Sequence, residues 1–163
     1  MKAMGKDDFA TLFNQARTHS RKRKNYNIHP QLSDPVQRLF NAIEPESYVQ
    51  PHRHRGADAW ETFVLLQGEA VVLTFDETGV VLHRAHLTSK DIRMVEIPTN
   101  TYHTLFALES GTLLFEIKRG PYDPHQAKDF ATWAPAEEDA DAQHCVQWFW
   151  HAKVGERYTR PYS

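Results

Sequence analysis

Between residues 46 and 118 the chain breaks into seven short β-rich runs: ESYVQPH, WETFVLLQ, EAVVLTFD, VVLHRAHL, IRMVEI, YHTLFAL and TLLFEIK. Turn signals such as QGE, DETG, TSKD, PTN and ESG separate them. A short strand cannot shelter its apolar face alone, so many of them at regular spacing must close on one another as a sandwich or barrel. The loop FDETGVV, with Gly79, reads as a hairpin connection.

The flanks read differently. Residues 7–18, DDFATLFNQART, place Phe9, Leu12, Phe13 and Ala16 at helical spacing behind an acidic start, which predicts an amphipathic helix. HSRKRKNYNIHPQLSD is basic and aperiodic and reads as a loop. Asp34-Pro35 then predicts a second helix, with Asp as N-cap, Pro in the first turn and Val36, Leu39, Phe40 and Ile43 on one face. The aromatic tail AQHCVQWFWHAKV reads as one more helix or strand, packed on the barrel or at a dimer interface. The expected organisation is one structural domain: an N-terminal helical arm over 1–44, a barrel over 45–120 and a C-terminal extension over 121–163.

Composition removes several function classes. Nineteen Lys plus Arg against 21 Asp plus Glu give a net charge of −2, which makes no case for nucleic acid as a partner. Cys145 is the single cysteine, so neither an intrachain disulfide nor a Cys-based metal cluster can form. No run approaches membrane-spanning length, and the start MKAMGKDDFATLF lacks the apolar core of a signal peptide. A cytoplasmic protein with a small-molecule substrate, no membrane partner and no nucleic-acid partner is expected.

Within the first run, PHRHR sets His52 and His54 on the same side of a strand, because side chains alternate faces. Two imidazoles where a core would take Val or Leu suggest ligands for Fe, Zn, Cu or Ni. Two histidines hold a metal poorly, so further donors are required. Glu61 opens the next strand, six residues before Gly68, and His103 opens a later one after Pro98-Thr99-Asn100-Thr101-Tyr102. Asp58 competes with Glu61 for the carboxylate position. Arg53 and Arg55 alternate with the histidines and are expected in surface ion pairs. Tyr48 shares their parity, so it lines the pocket or belongs to the core. Phe63, Leu65, Phe75, Phe106 and Phe115 are expected in the core. His83, His86, His125, His144 and His151 lack ligand spacing and are expected at the surface.

The set His52, His54, Glu61 and His103 resembles the two motifs of the cupin superfamily over roughly residues 46–118. Glu46, Ile92 and Asn100 stand where those motifs carry glycine, and Ala107 where the second carries its terminal Asn. The resemblance implies a jelly-roll barrel, commonly dimeric, with one divalent transition metal (Fe, Zn, Mn or Ni) held by three His and one Glu. A closer resemblance, over about 17–138, is to the WbuC-type cupin-fold metalloproteins, found with O-antigen polysaccharide biosynthesis. It rests on the basic segment with Arg23, Asn27 and His29, on DPVQRLFNA and EPESYVQPHRH, and on the later GPYDP and WAP. It raises Arg23, Asn27 and His29, with Tyr48, as substrate-binding candidates, and Arg suits an anionic group through its planar fork. The expected function is a metalloenzyme of isomerase or epimerase type on a small anionic or carbohydrate-like substrate, with no general base assigned. An Fe(II)-dependent oxygenase using the same ligands is the first alternative. A non-catalytic sugar-binding or regulatory cupin is the second.

Overall fold

The computed structural model describes residues 1–56, 58–123 and 128–160. Pro124 of GPYDP and His125 lie outside them. The elements run α1 (Lys6–Thr18), β1 (Arg23–Asn27), β2 (Val36–Ile43), β3 (His52–Arg53), β4 (Glu61–Gln67), β5 (Ala70–Phe75), β6 (Val81–Leu87), β7 (Met94–Ile97), β8 (Tyr102–Ala107), β9 (Thr112–Arg119), β10 (Asp129–Phe130) and α2 (Ala142–His151). Two antiparallel five-stranded sheets face each other, in the orders β1-β2-β9-β4-β7 and β10-β3-β8-β5-β6. Neighbouring strands far apart in sequence, with crossings between sheets, give the jelly-roll expected from the strand pattern.

The second helix is a strand. Val36, Leu39, Phe40 and Ile43 match a helical face only because β2 is apolar on both sides. Phe40 and Ala42 meet Phe9, Leu12 and Ala16 of α1 on the outer face, while Leu39 and Ile43 face the interior. An eight-residue ladder to β9, from Val36↔Arg119 to Ile43↔Thr112, outcompetes a helix of two turns. The basic segment is likewise a strand, β1, pairing Arg23↔Ile43 through Asn27↔Leu39. The arm therefore contributes one helix and two strands of the first sheet. Lysine and arginine suit an edge strand because they discourage pairing with another chain.

Between the sheets, Ile43, Phe63, Leu65, Val72, Leu105 and Leu114 fill one end of the barrel. The other end is left to polar side chains. The aromatic tail is α2, laid over the outer face of the second sheet. Phe149 stacks on Tyr48 and Phe106 with centroids 6.0 Å apart in each case, and Cys145 is fully buried there. Burial pushes the Cys145 thiol up to about 12, which leaves it protonated and inert. Phe63, Leu65, Phe75 and Phe106 are core as expected, whereas Phe115 is only half-buried, tilted against Phe40 on the outer surface. At Gly68 φ is +79° and a Cβ would collide with Thr112, so the β4–β5 turn requires glycine. Among the described residues, no helix is long and apolar enough to cross a membrane.

Candidate metal centre

The polar end of the barrel holds the paired histidines. His52 of β3 sits directly opposite His103 of β8, with ring centroids 4.6 Å apart. Just past the end of β3, His54 keeps its ring 5.1 Å from His52 and 5.6 Å from His103. From the facing sheet, Glu61 at the start of β4 directs Oε2 to His103 Nε2 at 2.9 Å and to His54 Nε2 at 3.4 Å. One donor atom from each of the four lies within 4.8 Å of the others. His52, His103 and Glu61 are 4%, 1% and 3% exposed. The turn before β8 reaches φ +59° at Asn100, so asparagine takes the left-handed position that the second cupin motif gives to glycine.

The orientation of the donors fits a metal ion. His52 Nδ1–H donates to Gln50 O, and His103 Nδ1–H to Thr101 O, both at 2.9 Å. Those bonds fix the tautomers and turn each Nε2 lone pair inward. His103 Nε2 and Glu61 Oε2 then present lone pairs to each other at hydrogen-bond distance. Such an arrangement requires a cation between them, either a proton or a metal ion. Burial pushes His52 well below the ordinary histidine range, as a neutral ligand needs. Burial alone would raise Glu61. Lys118, with the two histidines His103 and His54 beside it, overcomes it and holds the carboxylate well below its ordinary range. Asp58 is not part of the group, being exposed and paired with Arg119.

A second polar cluster adjoins this one, and the sequence reading does not find it. Lys118 of β9, paired in register with Glu61, places Nζ 3.2 Å from Glu61 Oε1 and 2.6 Å from Glu116 Oε1. Glu61 is thus held by one oxygen and free to ligate through the other. Asn41 Nδ2 donates to Glu116 Oε2 at 2.6 Å. Burial raises Glu116 above the ordinary carboxylate range. A usable signal does exist: in TLLFEIKR, Glu116 and Lys118 are two apart, so a strand sends both to one face.

These groups line a cavity of about 630 Å³ that opens past β1 and β10. Asn25, Asn27 and His29 line it. His29 is 6% exposed, and its Nδ1 lies 3.0 Å from both the backbone nitrogen and the carbonyl oxygen of Arg38. Its Nε2 is buried without a hydrogen-bond partner. Arg23 also reaches the wall, but its guanidinium is engaged by Tyr48 O at 2.7 Å, by Ser47 Oγ at 3.2 Å and by Glu137. Tyr48 does not face the histidines. It is buried beneath α2 and its hydroxyl donates to Pro135 O at 2.8 Å. Its parity with His52 fails because residues 48–51 are not regular strand. Arg53 and Arg55 pair with Asp129 on the outer side, and His83, His86, His144 and His151 are exposed, as expected.

Because folding keeps His52 neutral, acid favours the unfolded chain. The unfolded histidine takes up a proton near its usual value of about 6.5, while the folded one does so only well below it. Metal-free protein is therefore expected to lose stability as pH falls from about 7.5 to about 5.5, with a slope approaching ~1.4 kcal/mol per pH unit for one proton. A further loss follows below about pH 4.5, where unfolded Glu61 protonates and the folded carboxylate still resists. Urea midpoints across this range test it; a flat profile over the upper two pH units contradicts it.

An antiparallel jelly roll with three histidines and a glutamate converging inside one end defines the class: this is a cupin barrel. Within that class, the chain belongs to the family described as "Domain of unknown function (DUF6016)", whose model matches residues 4–87, just over half the chain. A search of the curated proteins finds no match. Among solved structures, KdgF from Halomonas sp. is 16% identical, with a TM-score of 0.50, covering 66% of this chain and 87% of its own. The capsular polysaccharide assembling protein CapF from Staphylococcus aureus is 18% identical, with a TM-score of 0.53, over 69% of this chain. Oxalate decarboxylase OxdC from Bacillus subtilis, solved as a point mutant, is also 18% identical, with a TM-score of 0.51, over 68%. This chain spans only 32% of CapF and 28% of the decarboxylase. These likenesses establish the fold.

Proposed function

We propose that this protein is a metalloenzyme that binds one divalent transition metal through His52, His54, Glu61 and His103. It acts by isomerase or epimerase chemistry on a small, anionic, polyhydroxylated substrate. The observation that carries this reading is the convergence of four ligating atoms beside a cavity that His52 and Glu61 line, and whose wall sets amides, carboxylates and cations among apolar side chains such as Leu39, Phe63 and Leu105. A bound metal supplies Lewis acidity, polarising a carbonyl or hydroxyl oxygen. Glu116 supplies the proton-transfer group: its carboxyl faces the same cavity, burial raises it, and Asn41 orients Oε2. His29 Nε2 hydrogen-bonds a substrate hydroxyl, which resolves its buried, unpartnered state. Asn25 and Asn27, joined by a 2.7 Å hydrogen bond, recognise hydroxyl groups alongside it.

The finer kinship with WbuC-type cupins, and a place in surface polysaccharide biosynthesis, belong to this proposal. Asn27 and His29, which carry that resemblance, line the cavity, and one structural neighbour is a capsular polysaccharide assembling protein. A cytoplasmic setting is supported by the single free thiol of Cys145. A homodimer is supported by Leu66, Ile92 and Met94, apolar and exposed beside the edge of the first sheet.

The test is elemental analysis of protein purified without a metal-affinity column, followed by NMR of sugar acids incubated with it in D2O. About one metal per chain is expected, with metal-dependent deuterium incorporation next to a carbonyl that Glu116→Gln abolishes. Fe(II)-dependent oxygen uptake instead would establish the oxygenase. Tight ligand binding without exchange or turnover would establish the binding module.

A further inference from the structure

Lys128 faces the metal ligands from the mouth of the cavity. In β10, Asp129 pairs with Arg53 and Arg55 on the outer side of the sheet, so its neighbours Lys128 and Phe130 turn inward. Phe130 is opposite His52 in register, with ring centroids 6.1 Å apart, and Lys128 lines the cavity. Of the other cations that line the cavity, Lys24 on the edge strand β1 is exposed and makes no ion pair among the described residues, and the rest are balanced. Arg21 and Arg23 share Glu137, and Lys118 lies between Glu61 and Glu116. Among the described residues, Lys128 makes no ion pair or hydrogen bond. Its ammonium and a dication on His52, His54, Glu61 and His103 would confront each other across one cavity whose carboxylates, Glu61, Glu116 and Glu137, are already paired with Lys118, Arg21 and Arg23.

We infer that the missing partner is the ligand's own carboxylate, which bridges Lys128 and the metal centre, so that metal and carboxylate bind cooperatively. This rests on the metal-centre reading above. A monocarboxylate fits better than a phosphate, because the arginines whose planar forks would grip a phosphate are occupied by Glu137. Coupling of this kind is reciprocal: the carboxylate tightens the metal as much as the metal tightens the carboxylate. It also fixes a sign. Without carboxylate, Lys128 repels the metal, and removing it should strengthen metal binding.

The experiment is calorimetric titration of Zn(II) into wild type and Lys128→Met, each with and without lactate at matched ionic strength. Solution complexation of Zn(II) by lactate affects both proteins equally and cancels in the comparison. Lys128→Met is expected to bind Zn(II) about tenfold more tightly than wild type in chloride alone. Lactate should tighten wild type at least about fivefold relative to the variant. Equal Zn(II) affinities in chloride, or an equal lactate effect on both proteins, overturn the inference while leaving the metal centre intact. A larger effect from inorganic phosphate than from lactate overturns the choice of carboxylate. Absence of Zn(II) binding to wild type overturns the metal centre and this inference with it.

Discussion

His103→Ala is expected to lower metal affinity by at least about 100-fold, whereas Asp58→Ala leaves it unchanged. His103 is the most deeply buried ligand: it is 1% exposed, held at Nδ1 by Thr101 O and set in register against His52. Loss of an outer hydrogen bond to a ligand already costs roughly 10- to 100-fold in affinity, and loss of the ligand itself should exceed that. Asp58 is the control because it lies close in sequence to the motif yet pairs with Arg119 at the surface. Competition against a chelator measures both. His103→Gln, which keeps polarity at the site, guards against a simple folding failure, and circular dichroism confirms the fold of each variant. Equal losses in the two single variants would mean that the cluster is not the binding site.

The second large effect concerns Lys118→Met in metal-free protein, which should be about 3–5 kcal/mol less stable than wild type. Lys118 is the only cation that touches both Glu61 and Glu116 among the described residues. Its attraction to Glu116 and then to Glu61 outweighs the cost of burying it and keeps it charged. Without it, two carboxylates face each other in a buried site, and at least one must be neutralised. A dication on Glu61 takes over the lysine's counter-charge, so saturating metal should recover much of the deficit, by ligand linkage. Urea unfolding with and without metal tests both parts. A metal-free variant as stable as wild type would show that water or protonation already balances the carboxylates.

What is legible in the sequence follows from periodicity. Six of the seven runs, from WETFVLLQ to TLLFEIK, are strands and can be read because alternation and turn chemistry are local, whereas ESYVQPH reaches a strand only at His52. His52, His54, Glu61 and His103 can be read because strand parity puts the first two on one face and the motif spacing marks the others. Their donor atoms do meet within 4.8 Å. Strand β2 reads wrongly because apolar residues on both faces imitate a helical stripe, and only pairing with β9 distinguishes the two. Of the two readings of Tyr48, pocket wall or core, the structure shows the core, and parity with His52 misleads because residues 48–51 are not regular strand.

The sequence by itself determined the all-β architecture, the ligand types and the single-cysteine chemistry, since each depends on residue identity and short-range spacing. Tertiary structure decided the choice of Glu61 over Asp58, the Lys118–Glu116 pair behind it and the inward turn of Lys128. Those depend on which strands become neighbours across two sheets, and on charges brought together from residues 61, 116, 118 and 128. Burial then gives the charges of residues 61 and 116 their strength, and burial is a property of the closed barrel, not of any segment within it.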